Sequence, residues 1–132
     1  MSILAHAIQY YALPEIIARV PASDFVPPPQ VDSAIVLLRR RRRSPVEVPS
    51  VELLFRVIRA GFSQARKKLS NALPGGLRSQ GIAIDKERAL RLMDAAGVDA
   101  NRRAETLTLE EWAAITRALA DHNQQRSAAQ GA

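Results

Sequence analysis

The stretch from Phe25 to Arg43, FVPPPQVDSAIVLLRRRRR, most narrowly limits what this chain can fold into. Three consecutive prolines stiffen the backbone and are most simply a rigid crossover between strands. The run from Ser33 to Leu38 that follows is apolar without alternation, which predicts a strand covered on both faces. Five arginines come directly after it and cannot all be buried, so the chain must pass from the interior to the surface within this stretch.

The residues before the prolines predict a helix and a second strand. Ile3 to Tyr11 is apolar and should end before Pro14, because the residue preceding a proline disfavours the helical region. Glu15 to Val20, EIIARV, has the short β-branched composition of a strand. Two strands alone are marginal in water, so residues 1–40 are predicted to be the truncated end of a larger α/β domain.

The chain changes to a helical pattern after Val46. Residues 51–72 carry an apolar stripe at three- and four-residue steps, which predicts one amphipathic helix, kinked at Gly61 and ended by Pro74-Gly75-Gly76. The stripe comprises Val51, Phe55, Ile58, Phe62, Ala65, Leu69 and Ala72.

Two further helices are predicted near the C-terminus. The first runs from Asp85, a suitable N-cap, to Ala96, with Gly97 just past its end. The second opens with a capping box at Thr108 to Glu111 and ends near residue 122, before a polar tail over 123–132 that is predicted to be disordered. Its inward side comprises Leu109, Trp112, Ile115, Thr116 and Leu119, whereas His6 and His122 are interpreted as incidental.

The net charge of +6 is concentrated in one part of the chain. Residues 39–68 hold ten basic and two acidic side chains, while residues 1–38 have a net charge of −2 and residues 69–132 a net charge of 0. Such a concentration is typical of proteins that bind polyanions, of which RNA, DNA and an anionic membrane are the candidates. A solvated surface without a partner is the alternative for these cations.

Several kinds of chemistry have no residues to support them. There is no cysteine, and the two histidines are far apart, so neither a disulfide framework nor a zinc site is expected. The six glycines form no cofactor-binding fingerprint, and no apolar run is long enough to span a membrane. These features predict a cytoplasmic protein without a metal, a membrane association or a complete catalytic apparatus.

Three segments then identify a family by resemblance. Residues 20–34, VPASDFVPPPQVDSA, resemble the V-P-x-x-x-F-x-P-P-P-K-V-D-S-A motif of ribosomal RNA adenine dimethyltransferases. Residues 62–71, FSQARKKLSN, are similar to F-S-Q-R-R-K-x-L-x-N of the same family, and residues 103–112, RAETLTLEEW, to R-A-E-x-L-S-x-E-E-[FW]. Gln30 and Ala65 depart from the family's lysine and first arginine, so two phosphate contacts would be absent.

The resemblance implies an α+β fragment of an enzyme that dimethylates two adjacent adenines near the 3′ end of small-subunit rRNA. Residues 1–40 would be the last helix and antiparallel strand pair of a Rossmann-like, S-adenosylmethionine-dependent class I methyltransferase sheet. Residues 41–50 would be a linker and residues 51–122 a small helical rRNA-binding domain. The glycine-rich loop and the N-[IL]-P-[YF] motif are not in this sequence, so the chain alone is expected neither to bind the methyl donor nor to transfer methyl groups.

The resemblance also assigns roles to residues whose patterns leave alternatives open. Phe25, by its position either a core anchor or a stacking ring, would stack on the flipped target adenine, supported by Pro27, Pro28 and Pro29. The RNA contacts would come from Arg39, Arg40, Arg41, Arg42, Arg43, Arg56, Arg59, Arg66, Lys67 and Lys68.

The expected partner is small-subunit rRNA in an immature small ribosomal subunit, and an exposed strand edge is expected to favour self-association. Two other hypotheses remain. One is a non-catalytic, helix-turn-helix-like nucleic-acid-binding module built from residues 85–96 and 109–121, and the other is a structural interaction domain with solvated arginines.

Overall fold

The computed structural model describes residues 2–130, with side chains described as far as Asn123. It divides the chain into two compact units. The hairpin unit is Ala7–Pro45, and the helical unit combines Met1–His6 with Val46–Ala132, so the division falls within helix α1, Ile3–Tyr11. The second part of the helical unit therefore begins at Val46, inside the segment 41–50 that the sequence predicts to be a linker.

The hairpin unit contains an antiparallel strand pair, β1 (Ala12–Val20) and β2 (Ser33–Arg40). The register pairs Ala12 with Arg40 and Val20 with Ser33, and it is irregular between Ile16 and Ala18. Both predicted strands are confirmed, and β1 begins directly after α1. The order of helix, strand and strand agrees with the α+β class that the sequence predicts.

The apolar side chains of this strand pair are exposed within the described residues. Exposed fractions are 54% for Ile16, 50% for Ile35 and 51% for Leu38, and all eight residues of β2 are exposed. The expectation that β2 is covered on both faces is therefore wrong for this chain. In the described part of the chain the sheet has two strands, and burying an unalternating strand requires additional layers.

The helical unit contains α2 (Val51–Phe62), α3 (Leu69–Ser79), α4 (Lys86–Ala95) and α5 (Leu109–Gln130). The Ser50 hydroxyl accepts a hydrogen bond from the Leu53 amide, so it caps α2. Asp85 caps α4, as predicted, because its carboxylate accepts the Arg88 amide at 2.8 Å. Two local sequence signals, the N-cap at Asp85 and the glycine at position 97, thus predict the ends of α4 correctly. Gly97 has a positive φ.

The predicted single helix over residues 51–72 is wrong. Helix α2 ends at Phe62, residues 63–68 form a turn, and α3 continues through Pro74, Gly75 and Gly76. Proline removes one helical hydrogen bond, but burial of Leu73, Pro74 and Leu77 compensates for that loss. The break also changes the buried stripe: Leu54 and Val57 are buried with Ile58, whereas Ala65 is exposed in the turn.

The core of the helical unit is centred on Trp112, which is completely buried. The predicted inward side of α5 is confirmed. His6 is also completely buried, and its Nε2 accepts a hydrogen bond of 3.2 Å from Trp112 Nε1. The interpretation of His6 as incidental is therefore wrong. The sequence does not predict this contact, because the apolar pattern of α1 does not show which segment its first turn packs against.

The predicted capping box at the start of α5 is confirmed. The Glu111 amide donates to Thr108 Oγ1 at 3.2 Å, and the Thr108 amide donates to Glu111 Oε1 at 3.0 Å. The backbone of α5 is helical as far as Gln130, although the sequence predicts a disordered tail from residue 123. Residues 131 and 132 of that predicted tail lie outside the described residues.

Candidate nucleic-acid interface

The proline-containing loop of the hairpin unit presents Phe25 at the surface. A short 3-10 turn, Ala22–Asp24, precedes it, and the Phe25 amide donates to the Ala22 carbonyl at 3.2 Å. The loop is held closed where the Ala22 amide donates to Asp32 Oδ1 at 2.8 Å. Phe25 is 42% exposed, so it is not a core anchor among the described residues. This exposure favours the alternative, a ring that is accessible for stacking.

The three prolines after Phe25 are exposed. Proline has a fixed φ and no amide hydrogen, so this part of the loop has few accessible conformations and offers no strand pairing. The Val26–Pro27 peptide bond is cis. The prolines thus restrict the conformations of the loop that follows Phe25.

Arg41 differs from the other members of the arginine run. Its Nε donates to the carbonyls of Gln9 at 2.8 Å and Ala12 at 3.1 Å, at the C-terminal end of α1. Its backbone amide donates to Tyr11 O at 2.9 Å. A guanidinium at this position satisfies the last helical carbonyls and is favoured by the helix dipole. Arg41 therefore joins the end of α1 to the end of β2, a role that sequence reasoning missed.

The remaining arginines of the run are exposed. Arg39 Nε lies 3.9 Å from Glu15 Oε2, and both side chains are well solvated, so this ion pair contributes little. The side chains of Arg40, Arg42 and Arg43 have no hydrogen bond or ion pair among the described residues. Their charge is accordingly available to an external anion.

An aromatic pair lies beside these arginines in the hairpin unit. Tyr10 and Tyr11 have their ring centroids 4.9 Å apart in an edge-to-face arrangement, and the Tyr10 hydroxyl accepts a hydrogen bond from Ser44 at 3.1 Å. Tyr11 is 58% exposed. Both rings border a small cavity of about 150 Å³ with Arg40 to Ser44. Only the tertiary structure shows that an exposed aromatic ring lies next to the cationic segment.

The helical unit carries its own set of cations around the turn between α2 and α3. Arg59, Arg66, Lys67 and Lys68 are exposed and have no side-chain partner among the described residues. Arg56 is different, because it is half-buried and its guanidinium donates to the Gln80 carbonyl. The predicted basic helix face is therefore divided between α2 and the turn that follows it.

The position of this turn is fixed by the segment before α5. The amides of Leu69 and Ser70 donate to the carbonyls of Arg102 and Ala100, both at 2.9 Å. Arg102 in turn forms a two-pronged ion pair with Glu111. This hydrogen-bonded pairing with Arg102 holds the pKa of the Glu111 carboxyl below its ordinary value. Glu111, in the motif at residues 103–112, thus helps to support the turn through Arg102.

The described residues contain neither a group of three or more side chains suited to hold a metal ion nor a helix long and apolar enough to cross a membrane. The described residues present two cationic surfaces, one in each unit, and each lies with hydrogen-bonding or aromatic side chains. Seven exposed cations without partners constitute these surfaces: Arg40, Arg42 and Arg43 in the hairpin unit and Arg59, Arg66, Lys67 and Lys68 in the helical unit.

Comparison with known proteins identifies a family for this chain. The family model for ribosomal RNA adenine dimethylase matches residues 2–120. The solved structure of the 23S rRNA methyltransferase ErmE superposes with a TM-score of 0.62 at 25% identity, covering 90% of this chain and 46% of that one. A dimethyladenosine transferase from Plasmodium falciparum has the same fold, with a TM-score of 0.61 at 21% identity, over 95% of this chain and 50% of that one.

Curated relatives are more similar in sequence. The Ribosomal RNA small subunit methyltransferases A of Bacillus cereus (strain B4264) and Bacillus anthracis (strain CDC 684 / NRRL 3495) are both 44% identical over 119 residues. The match covers 90% of this chain and 40% of each relative, so the chain spans well under half of their length. The chain belongs to the ribosomal RNA adenine dimethylase family.

Proposed function

We propose that this chain is the part of a small-subunit rRNA adenine dimethyltransferase that holds the RNA and forms one wall of the target-base pocket. The observation that carries the proposal is the set of seven exposed, unpartnered cations, distributed over both units of a member of this family. Each cation that neutralises a phosphate releases condensed counterions, which favours binding of a polyanion. The hairpin unit would belong to a Rossmann-like methyltransferase sheet and the helical unit to the rRNA-binding domain.

Phe25 is proposed to stack on the adenine that is rotated out of the RNA. Flipping a base costs a few kcal/mol of lost stacking, and an aromatic contact returns roughly 1–3 kcal/mol. The ring is exposed, and the prolines after it restrict how the loop can rearrange. Little conformational entropy is then lost when the base stacks.

The residues present do not form a site that fits S-adenosylmethionine, the methyl donor of this family. A donor loop requires glycines after a strand, where the backbone must approach the ligand. Residues 12–40 include both strands of the described chain and contain no glycine. We therefore expect calorimetry to detect no donor binding by the chain alone, and micromolar binding would contradict this.

A salt titration with a small-subunit rRNA fragment tests the RNA-binding role. If five of the seven cations contact phosphates, the logarithm of the affinity should fall against the logarithm of salt concentration with a slope of roughly −3.5 to −4.5. A Phe25→Leu variant should bind more weakly by roughly 1–3 kcal/mol while keeping that slope, because stacking releases no counterions.

Two outcomes would contradict the proposal. A slope near zero would show that the cations are only solvated and would favour a structural interaction domain. Equal competition by duplex DNA would favour the helix-turn-helix-like module, although α4 and α5 are separated by residues 96–108, a connection much longer than the turn of that motif.

A further inference from the structure

A polar cavity in the helical unit lies against the turn between α2 and α3. Its volume is about 390 Å³, within the range of about 300–1,000 Å³ that is usual for ligand pockets. The turn contributes Ser63 and Gln64, and α3 contributes Asn71, Ala72, Gly75, Gly76 and Ser79. No acidic side chain is among the described residues that line it.

The hydrogen-bonding groups of this cavity are neutral. Ser63 Oγ donates to the Ala60 carbonyl at 2.6 Å, and Ser79 Oγ donates to the Gly75 carbonyl at 3.1 Å. Because both hydroxyl hydrogens are used, these oxygens present lone pairs as acceptors. The carboxamide of Gln64 has no hydrogen bond among the described residues, so both its donors and its acceptor are available.

Asn71 completes the set with an oriented carboxamide. Its Oδ1 accepts a hydrogen bond from Lys86 Nζ at 3.3 Å, so that oxygen is engaged and the two amide hydrogens remain to donate. The cavity thus offers donors from two carboxamides and acceptors from two hydroxyls. Asparagine and glutamine carboxamides are among the groups that pair with base edges in nucleic-acid recognition.

Several cations lie near residues of the cavity, although none lines it. Arg66, Lys67 and Lys68 follow Gln64 in the same exposed turn, and Lys86 reaches Asn71. A guanidinium nitrogen of Arg78 lies 3.9 Å from the point where a side chain on Gly75 would begin. A metal ion would require carboxylates, and a free phosphate would require cations inside the cavity. Neutral groups with cations nearby instead match a nucleotide, whose base is neutral and whose phosphates are anionic.

We propose that this cavity binds one unpaired ribonucleotide of the RNA, with the base or the 2′-hydroxyl held by Gln64 and Asn71 and the flanking phosphates held by the cations of the turn. This inference rests on the proposed RNA-binding function and adds a point of base selectivity to it. RNA-binding proteins obtain sequence selectivity from unpaired bases, because the edges of those bases are accessible. The cavity would be separate in role from Phe25, since the Phe25 loop belongs to the hairpin unit.

The test measures affinities of the full chain for short single-stranded homopolymer RNAs of each base and for their DNA counterparts, over a range of salt concentrations. Gln64→Ala and Asn71→Ala should each weaken the preferred RNA about threefold to tenfold, the loss expected for one or two neutral hydrogen bonds. They should reduce the preference among bases and leave the salt slope unchanged. Asn101→Ala, which removes an exposed carboxamide outside the cavity, is the matched control and should change neither quantity.

A further variant and an NMR measurement keep the test valid if one of these substitutions alters folding. Gly75→Leu places a bulky side chain in the cavity from a helix position with open space, and it should block the preferred base while the chain stays folded. In the parent chain, the side-chain amide signals of Gln64 and Asn71 should shift in nuclear magnetic resonance spectra when RNA is added.

The outcomes distinguish this inference from the proposed function. If Lys67→Ala reduces the salt slope but the cavity variants keep full affinity and base preference, the nucleotide site is wrong and the RNA-binding role stands. If the parent chain binds no RNA at all, both are wrong.

Discussion

Gly75 and Gly76 are adjacent in α3 but have opposite surroundings. A β-carbon on Gly76 would overlap the Ala60 carbonyl group and lie 2.7 Å from Ala60 Cα, so α2 and α3 are in backbone contact there. A β-carbon on Gly75 would meet only the end of the Arg78 side chain at 3.9 Å. The glycine at position 76 is therefore required by packing, whereas the one at position 75 is not.

This pair gives a prediction for stability. Gly76→Ala should lower the free energy of unfolding by about 1–3 kcal/mol, because the two helices must separate. Gly75→Ala should raise it by about 0.5–1 kcal/mol, because alanine has the higher helix propensity. Urea denaturation of both variants checks this, and equal stability of the two would mean that α2 and α3 are not in backbone contact.

His6 makes stability depend on pH. Its ring is completely buried, and this desolvation lowers the pKa of its imidazole. The Nε2 atom accepts the Trp112 hydrogen bond, so the neutral ring carries its proton on Nδ1, for which no partner is found among the described residues. Protonating the ring would place a hydrogen on Nε2 and break the contact with Trp112.

The direction of the effect follows from proton linkage. The unfolded chain binds a proton at His6 near the ordinary pKa of about 6.5, and the folded chain binds it only at lower pH. We therefore expect stability to fall as the pH decreases below about 6.5. His6→Gln should remove this part of the dependence and His122→Gln should retain it, which thermal unfolding at a series of pH values would show. An unchanged profile in His6→Gln would contradict the assignment.

At the scale of elements, the arginine run divides into structural and available members. Arg41→Ala removes the hydrogen bonds to Gln9 and Ala12, so amide hydrogen exchange in β1 and β2 should become faster. It should leave the salt slope of RNA binding unchanged. Arg42→Ala, at an exposed position, should leave exchange unchanged and reduce the magnitude of that slope by roughly 0.7–0.9. The same effect from both variants would contradict the division.

Some elements can be predicted from local sequence alone. The cap at Asp85, the capping box at Thr108 and the strand compositions each act through neighbouring residues, so they are readable from the sequence. The helix break at Ser63 is different, because the apolar spacing of residues 51–72 is compatible with one continuous helix. It is decided by the pairing of Leu69 and Ser70 with the segment at residues 100–102, which is distant in sequence.

At the scale of the whole molecule, the exposed aliphatic side chains of β1 and β2 predict association. Ile17, Val36 and Leu38 are 56%, 46% and 51% exposed on a sheet whose outer edges are unpaired among the described residues. Such surfaces tend to associate with other strands. We expect a concentration-dependent increase in mass by analytical ultracentrifugation and a smaller one for an Ile17→Lys, Val36→Lys variant. A parent chain that stays monomeric and whose β2 amides are fully protected would contradict this.

The sequence by itself determined the family, the two strands, the caps and the concentration of positive charge, because motifs, composition and capping depend on residues close together in the chain. Tertiary structure decided which of those charges are available. Arg41 lies inside the arginine run, and Arg56 is three residues before the exposed Arg59. Both nevertheless donate to backbone carbonyls, Arg41 to those of Gln9 and Ala12 and Arg56 to that of Gln80. It also buried His6 against Trp112 and brought Gln64 and Asn71 to one cavity. Each of these outcomes requires contacts between segments that only the folded chain brings together.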